Sequence, residues 1–160
     1  IFGELFMLIE SDKRGVEVQM LYSDEKFSVP DNVYIIGMMN TADRSLAMLD
    51  YALRRRFAFF DMKPGFETDG FRKYRMGLAS DKFDKLINCV ENLNAAITAD
   101  ESLGEGFCIG HSYFCNLEKA TDQNLSGIIE FELIPLLKEY WFDEPMKVKD
   151  WANNLRSAIK

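Results

Sequence analysis

Asn40, Asp43 and the run Arg54 to Arg56 are residues whose types and spacing suit phosphate chemistry. An Asn side chain accepts hydrogen bonds through its carbonyl oxygen and donates through its amide. One Asn can therefore hold an attacking water and a phosphate oxygen together. Asp43 could be an acceptor in the same site, and guanidinium groups neutralise charge that develops on a transferred phosphoryl group. A plainer reading stays open at each place. Asn40, Thr41 and Asp43 are also residues that turn a chain and cap a helix. Arginines at a helix end interact with its dipole and with carboxylates such as Asp50. Arg54, Arg55 and Arg56 stand at successive steps of about 100° around a helix, so they cannot all share one partner.

The elements that must position these groups are legible around them. VYIIGMM, residues 33–39, is nearly all apolar, the pattern of a strand covered on both faces in a parallel sheet. Ligands of open α/β sheets sit beyond the carboxyl ends of the strands, and Asn40 lies just past this one. Thr41 or Asp43 can then cap a helix in which Leu46, Leu49 and Leu53 share a face, with the three arginines at its end. FAFFDM, residues 57–62, reads as a second buried strand, and Pro64 and Gly65 break the chain. Upstream, Phe2, Leu5, Phe6, Leu8 and Ile9 are at helical spacing. A turn at Lys13 to Gly15, alternation through Val16, Val18, Met20 and Tyr22, a turn at Ser23 to Glu25 and a short run from Phe27 to Val29 predict a small hairpin.

After Pro64 the periodicity predicts helices alone, over about 69–76, 81–98, 125–140 and 147–159. SLGEGFCIGHSYF, residues 102–114, reads as an ordered loop leading to a short turn or helix. Two regions follow: 1–64, mixed α and β, and 65–160, all α.

Composition narrows the function classes. The 160 residues carry 19 Lys+Arg against 26 Asp+Glu, a net charge of -7, which works against direct binding to a nucleic-acid backbone. No apolar run approaches the roughly 20 residues that span a bilayer, and the opening IFGELFMLIESDKRG has no signal-peptide pattern, so no membrane contact and a cytoplasmic location are expected. That opening begins within a helical pattern and without an initiator Met, and reads as the start of a fragment. Cys89, Cys108 and Cys115 are odd in number and form no disulfide framework. Cys108, His111 and Cys115, with Cys89, would be zinc ligands of a nucleic-acid module only if the usual tight Cys-x-x-Cys pairs could be dispensed with, so idle or buried thiols are the expectation.

VYIIGMMNTADRSLAMLDYALRRRFAFFDMKPGF, FCIGHSYF and IPLLKEYWFDEP together resemble the McrB family, the AAA+ motor subunits of McrBC modification-dependent restriction systems. MNTADRS and ALRRRF are its most specific stretches, and the likeness runs in order from Ile1 to about residue 148. The resemblance implies an α/β plus all-α fold: the truncated carboxyl-terminal half of an AAA+ P-loop NTPase core, residues 1–64, followed by a helical lid subdomain, residues 65–160. It gives Asn40 the role of the sensor asparagine that orients the attacking water, and Asp43 that of a second acidic member of the motif. Arg56, just before Phe57, becomes the first choice for a finger reaching a neighbouring subunit's nucleotide, with Arg55 second. Related AAA+ lids often put an arginine beside the nucleotide, whereas GHSYF offers His111 and Ser112 and no Arg, so a nucleotide contact from His111 stands against the plainer reading of a packed or surface histidine. The implied cofactors are GTP or ATP with Mg2+ in the intact protein. The implied partners are further copies of the subunit in a ring, an McrC-like endonuclease subunit, and DNA through other parts of the complex.

Two departures bear on this. Met38 stands where the family often has a small polar residue, and the chain contains no GxxxxGK[ST] loop and no acidic pair before IFGELF. Without a phosphate cradle and magnesium carboxylates, no nucleotide binding or hydrolysis is expected of these 160 residues alone. In the AAA+ arrangement the P-loop strand lies between the strands ending at Met39 and Met62, so their edges must find other partners or rearrange. The competing reading is a non-catalytic oligomerisation or assembly module, with Tyr140, Trp141 and Phe142 making subunit contacts and the arginines serving as salt-bridge partners.

Overall fold

The computed structural model describes residues 3–21, 23–40 and 54–160, with side chains in the first stretch from residue 6 onward. The chain divides into two compact units, Ile1–Asp61 and Met62–Lys160.

In the amino-terminal unit, α1 (Gly3–Leu8) leads through a single helical turn at Ser11–Lys13 into a hairpin. β1 (Val18–Gln19) and β2 (Lys26–Phe27) pair antiparallel, Val18 opposite Phe27 and Gln19 opposite Lys26. Gly15 turns the chain at φ 74°, a conformation costly for side chains with a Cβ, and its N–H bonds the Val29 carbonyl at 2.9 Å. Leu8, Ile9 and Val29 are the buried apolar side chains among the described residues of this unit.

The expected strand at 33–39 is not formed. Those residues belong to no ladder, and Tyr34, Ile36 and Met38 are about nine-tenths exposed while Val33 and Ile35 are near 40%. FAFFDM is likewise in no strand, with Phe59, Phe60 and Met62 exposed. The reason is chemical: a strand satisfies its backbone only through a neighbour, and among the described residues no strand lies alongside either run. Both runs are apolar, but among the described residues the pairing that a strand requires is absent.

The helical unit behaves differently. α2 (Asp69–Leu78) starts at Thr68, whose hydroxyl accepts the Phe71 N–H, and α3 (Asp81–Ala99) starts at Ser80, whose hydroxyl accepts the Phe83 N–H. Between them Ala79 sits in the left-handed region at φ 46° and reverses the chain. Two short 3-10 turns, Glu105–Phe107 and His111–Phe114, organise the glycine-containing loop. α4 (Asp122–Gly127), capped by Thr121, runs through a π-helical stretch, Ile128–Leu133, into α5 (Ile134–Tyr140). The widened turn falls just before Pro135, which cannot donate a backbone hydrogen bond and whose ring would crowd the carbonyl four residues back. α6 (Pro145–Ala158) closes the unit, with Pro at its first position, where the missing N–H costs nothing.

Phe83, Leu86, Ile87, Val90, Leu93 and Ile97 form one face of α3 and are fully buried. They meet Leu125, Ile129, Leu133 and Leu137 from the α4 to α5 run, and Val148, Ala152 and Leu155 from α6, in one core. Burying each large side chain contributes about 1.5–3 kcal/mol. Two polar clamps fix the loops over this core. Asn94 accepts from the Ile109 N–H at 2.7 Å and donates to the Ile109 carbonyl at 2.9 Å. The Tyr74 hydroxyl lies 2.9 Å from the Phe114 carbonyl and 3.0 Å from the Leu117 carbonyl, and accepts from the Leu117 N–H at 2.9 Å.

Candidate functional site

Asn40 stands exposed at the carboxyl end of the apolar run, in no regular element. Asp43, and most of the helix expected to carry the arginines, lie outside the described residues. The three arginines have different surroundings: Arg54 is helical, and Arg55 and Arg56 lie in the turn that follows it. Arg54 places its guanidinium carbon 5.8 Å from the centre of the Phe59 ring, a cation–π contact. Arg55 is exposed. Arg56 turns to Glu10, Nε to Oε1 at 2.7 Å and Nη2 to the same oxygen at 2.6 Å, with side-chain exposures of 21% and 36%.

Glu10 is thus a residue that sequence reasoning passed over. It lies 46 positions from Arg56, and its only signal was a carboxylate closing an apolar helical run. A partly covered pair of this kind holds an arginine in one orientation, while contributing modestly to stability.

His111 is a packed side chain within the helical unit. Its Nδ1 accepts the Gly65 N–H at 2.9 Å, and its ring meets Phe71 edge-on at 5.9 Å and Phe66 at 6.3 Å between centres. An accepting Nδ1 is unprotonated, so in the neutral ring the proton is on Nε2. A Cβ on Gly65 would stand 2.9 Å from the His111 ring, so this close approach requires glycine. The bond ties the segment after Pro64 to the GHSYF loop.

The thiols do not come together as metal ligands. Cys115 donates to the His111 carbonyl at 3.2 Å, and Cys108 lies 3.3 Å from the Thr98 hydroxyl. Burial raises the pKa of Cys89 and of Cys115, which disfavours the thiolate. Among the described residues no group of three His, Cys, Asp or Glu could hold a metal ion.

Among the described residues Asp100 is a strongly perturbed carboxylate. Hydrogen bonds from Lys147, Ser102 and Trp141 hold it well below the usual carboxylate range. One oxygen takes Lys147 Nζ at 2.6 Å and Trp141 Nε1 at 2.8 Å, and the other takes the Ser102 hydroxyl and N–H. Each bond joins the end of α3 to a loop or to the α5–α6 corner. Asp100 is a structural anchor between these elements.

Among the described residues no helix is long and apolar enough to cross a membrane. Residues 85–149 match the family model described as McrB, alpha-helical lid domain. This places most of α3, the loop after it, the α4 to α5 run and the start of α6 within the matched segment. Over 167 aligned positions the chain is 48% identical to the type IV methyl-directed restriction enzyme EcoKMcrB subunit of Escherichia coli strain K12. That alignment covers 97% of this chain and 36% of the relative, so the chain spans little more than a third of its length. With its lid helices matched and nearly its whole length aligned at this identity, the chain belongs to the McrB family.

Proposed function

We propose that this chain supplies part of a nucleotide-hydrolysing AAA+ motor subunit of a DNA restriction system. The subunit would assemble with its own copies into a ring and drive DNA translocation and cleavage with an McrC-like endonuclease partner. The observation that carries the proposal is the 48% identity, because an alignment over 97% of the chain includes residues 40–56.

In this reading Asn40 orients water through its carbonyl oxygen and steadies a phosphate oxygen through its amide, with Asp43 as a neighbouring acceptor. Arg55 and Arg56 serve the nucleotide of the adjacent subunit, neutralising charge as it develops. GTP or ATP with Mg2+ supplies the phosphoryl group and the metal charge when bound. These 160 residues suit the γ-phosphate end of such a site and include no GxxxxGK[ST] cradle, so that loop and the magnesium carboxylates are assigned to another part of the subunit. His111 is the weakest member of the set, since Nδ1 is already committed to Gly65.

The Arg56–Glu10 pair favours a second reading for that arginine, as a structural strut in an assembly module. Hydrolysis of GTP and ATP by the full-length subunit separates the two. Asn40→Ala and Arg56→Ala should each abolish most turnover, Arg56→Ala by about 10³-fold or more, with ring assembly retained. Turnover untouched by either substitution, with assembly lost in Arg56→Ala and equally in Glu10→Gln, would overturn the motor reading and leave the strut.

A further inference from the structure

Glu10 occupies the capping position of the single helical turn Ser11–Lys13, yet its side chain makes no capping bond there. Its main chain is held on both sides. The Glu10 N–H bonds the Met7 carbonyl at 3.4 Å, and the Glu10 carbonyl accepts the Lys13 N–H at 3.0 Å. Leu8 and Ile9, immediately before it, are buried. The packed end of α1 therefore fixes the point from which this carboxylate reaches out.

The group it holds starts from a less constrained place. Arg55 and Arg56 lie in the turn after the helical Arg54, where the helix no longer closes its own backbone hydrogen bonds. An arginine side chain is long and flexible, so its direction is set by what its guanidinium bonds. Glu10 Oε1 lies 2.7 Å from Nε and 2.6 Å from Nη2 of Arg56. Two donors of one planar group on a single anchored oxygen restrict the direction that group can take. Arg55, beside it in the same turn, is exposed.

On the reading that this turn serves a neighbouring subunit's nucleotide, we infer that Glu10 is a positioning residue. By holding Arg56 it sets the direction in which the turn presents its guanidinium groups to that nucleotide. Donors stabilise the charge that develops in phosphoryl transfer most when they are already in place, because gathering a flexible side chain at the barrier forfeits part of the gain. A carboxylate by itself repels a phosphate, so the effect of Glu10 passes through Arg56. It belongs in turnover and not in nucleotide affinity.

Hydrolysis of GTP, and of ATP in parallel, by the full-length subunit tests it, with assembly followed by sedimentation velocity. Glu10→Gln keeps an accepting oxygen and loses the charge. It should lower kcat at least about tenfold, with KM within about twofold and assembly unchanged. Added to Arg56→Ala, the same change should cost nothing further, because the side chain it positions is gone. Rings mixed from Glu10→Gln and Asn40→Ala subunits contain interfaces in which Asn40 of one subunit and the arginine turn of the next are both intact. The mixture should therefore turn over faster than either variant alone, a recovery that misfolding would not produce. Turnover unchanged in Glu10→Gln, with Asn40→Ala and Arg56→Ala still impaired, would overturn the inference and leave the motor reading standing. Turnover unchanged in all three would overturn both. Loss of assembly in Glu10→Gln, or a mixture no faster than its parts, would also overturn the inference and make Glu10 a structural residue.

Discussion

The two units of this chain are both rich in apolar residues, and they treat them in opposite ways. In the helical unit the large side chains of α3 are fully buried, whereas Tyr34, Ile36, Met38 and Phe60 in the amino-terminal unit face solvent. The difference lies in where each element finds its hydrogen bonds. A helix satisfies its backbone within itself and needs a partner only for one face, which α4, α5 and α6 provide. A parallel-sheet strand needs a neighbour along its edge and cover on both faces. The helices after Pro64 find their core partners within these residues. The strands are specified by pattern and left without partners among the residues described.

The comparison can be broken first in the helical core. Phe83→Ala removes a fully buried ring that meets Phe71, Tyr74 and Phe114, and should cost about 3–5 kcal/mol in urea denaturation. A cost under about 1 kcal/mol would mean that this core is loosely packed. Gly65→Ala should cost about 1–3 kcal/mol, because the new methyl meets the His111 ring, itself wedged between phenylalanines. A crystal structure showing the ring undisturbed would contradict that.

The Asp100 anchor gives the helical unit an acid limit. Its folded pKa is depressed, so its stabilisation is present above the unfolded carboxylate value of about 3.9 and is lost as pH falls through the folded value. Thermal melts of Asp100→Asn should show a lower midpoint at neutral pH and a shallower decline than wild type below about pH 4. Parallel curves would remove Asp100 from the acid response. Ala79→Gly should raise stability by about 0.5–1 kcal/mol, since φ 46° at that position suits glycine. The smallest effect sharpens the contrast: Ile36→Ser, at 91% exposure, should fall within about 0.5 kcal/mol of wild type and should reduce aggregation on heating.

The helices after Pro64 were legible because their apolar spacing and caps are local. Thr68, Ser80 and Thr121 each precede a helix and accept its third N–H, a relation written in neighbouring residues. The π-helical turn was not legible, although Pro135 announced some irregularity there. The strands were misjudged for a different reason. Their apolar runs are plain in the sequence, but a strand forms only against a neighbour, and pattern alone does not say whether that neighbour is present. At the candidate site, helical spacing predicts that Arg54, Arg55 and Arg56 do not share one partner, but Arg55 and Arg56 lie in a turn and most of that helix is outside the described residues. The Glu10 partner of Arg56 did not follow from that spacing, because 46 residues separate them.

By itself, then, the sequence determined the helices after Pro64, their capping and the family, since each is written in local spacing or in contiguous motifs. Only the tertiary structure decided which carboxylate holds Arg56, that His111 accepts from Gly65, that Asp100 joins α3 to the α5–α6 corner, and that Phe142 stands beside a cation-lined groove. These are contacts between residues far apart in the chain. Their existence depends on how the elements pack, and no periodicity records it.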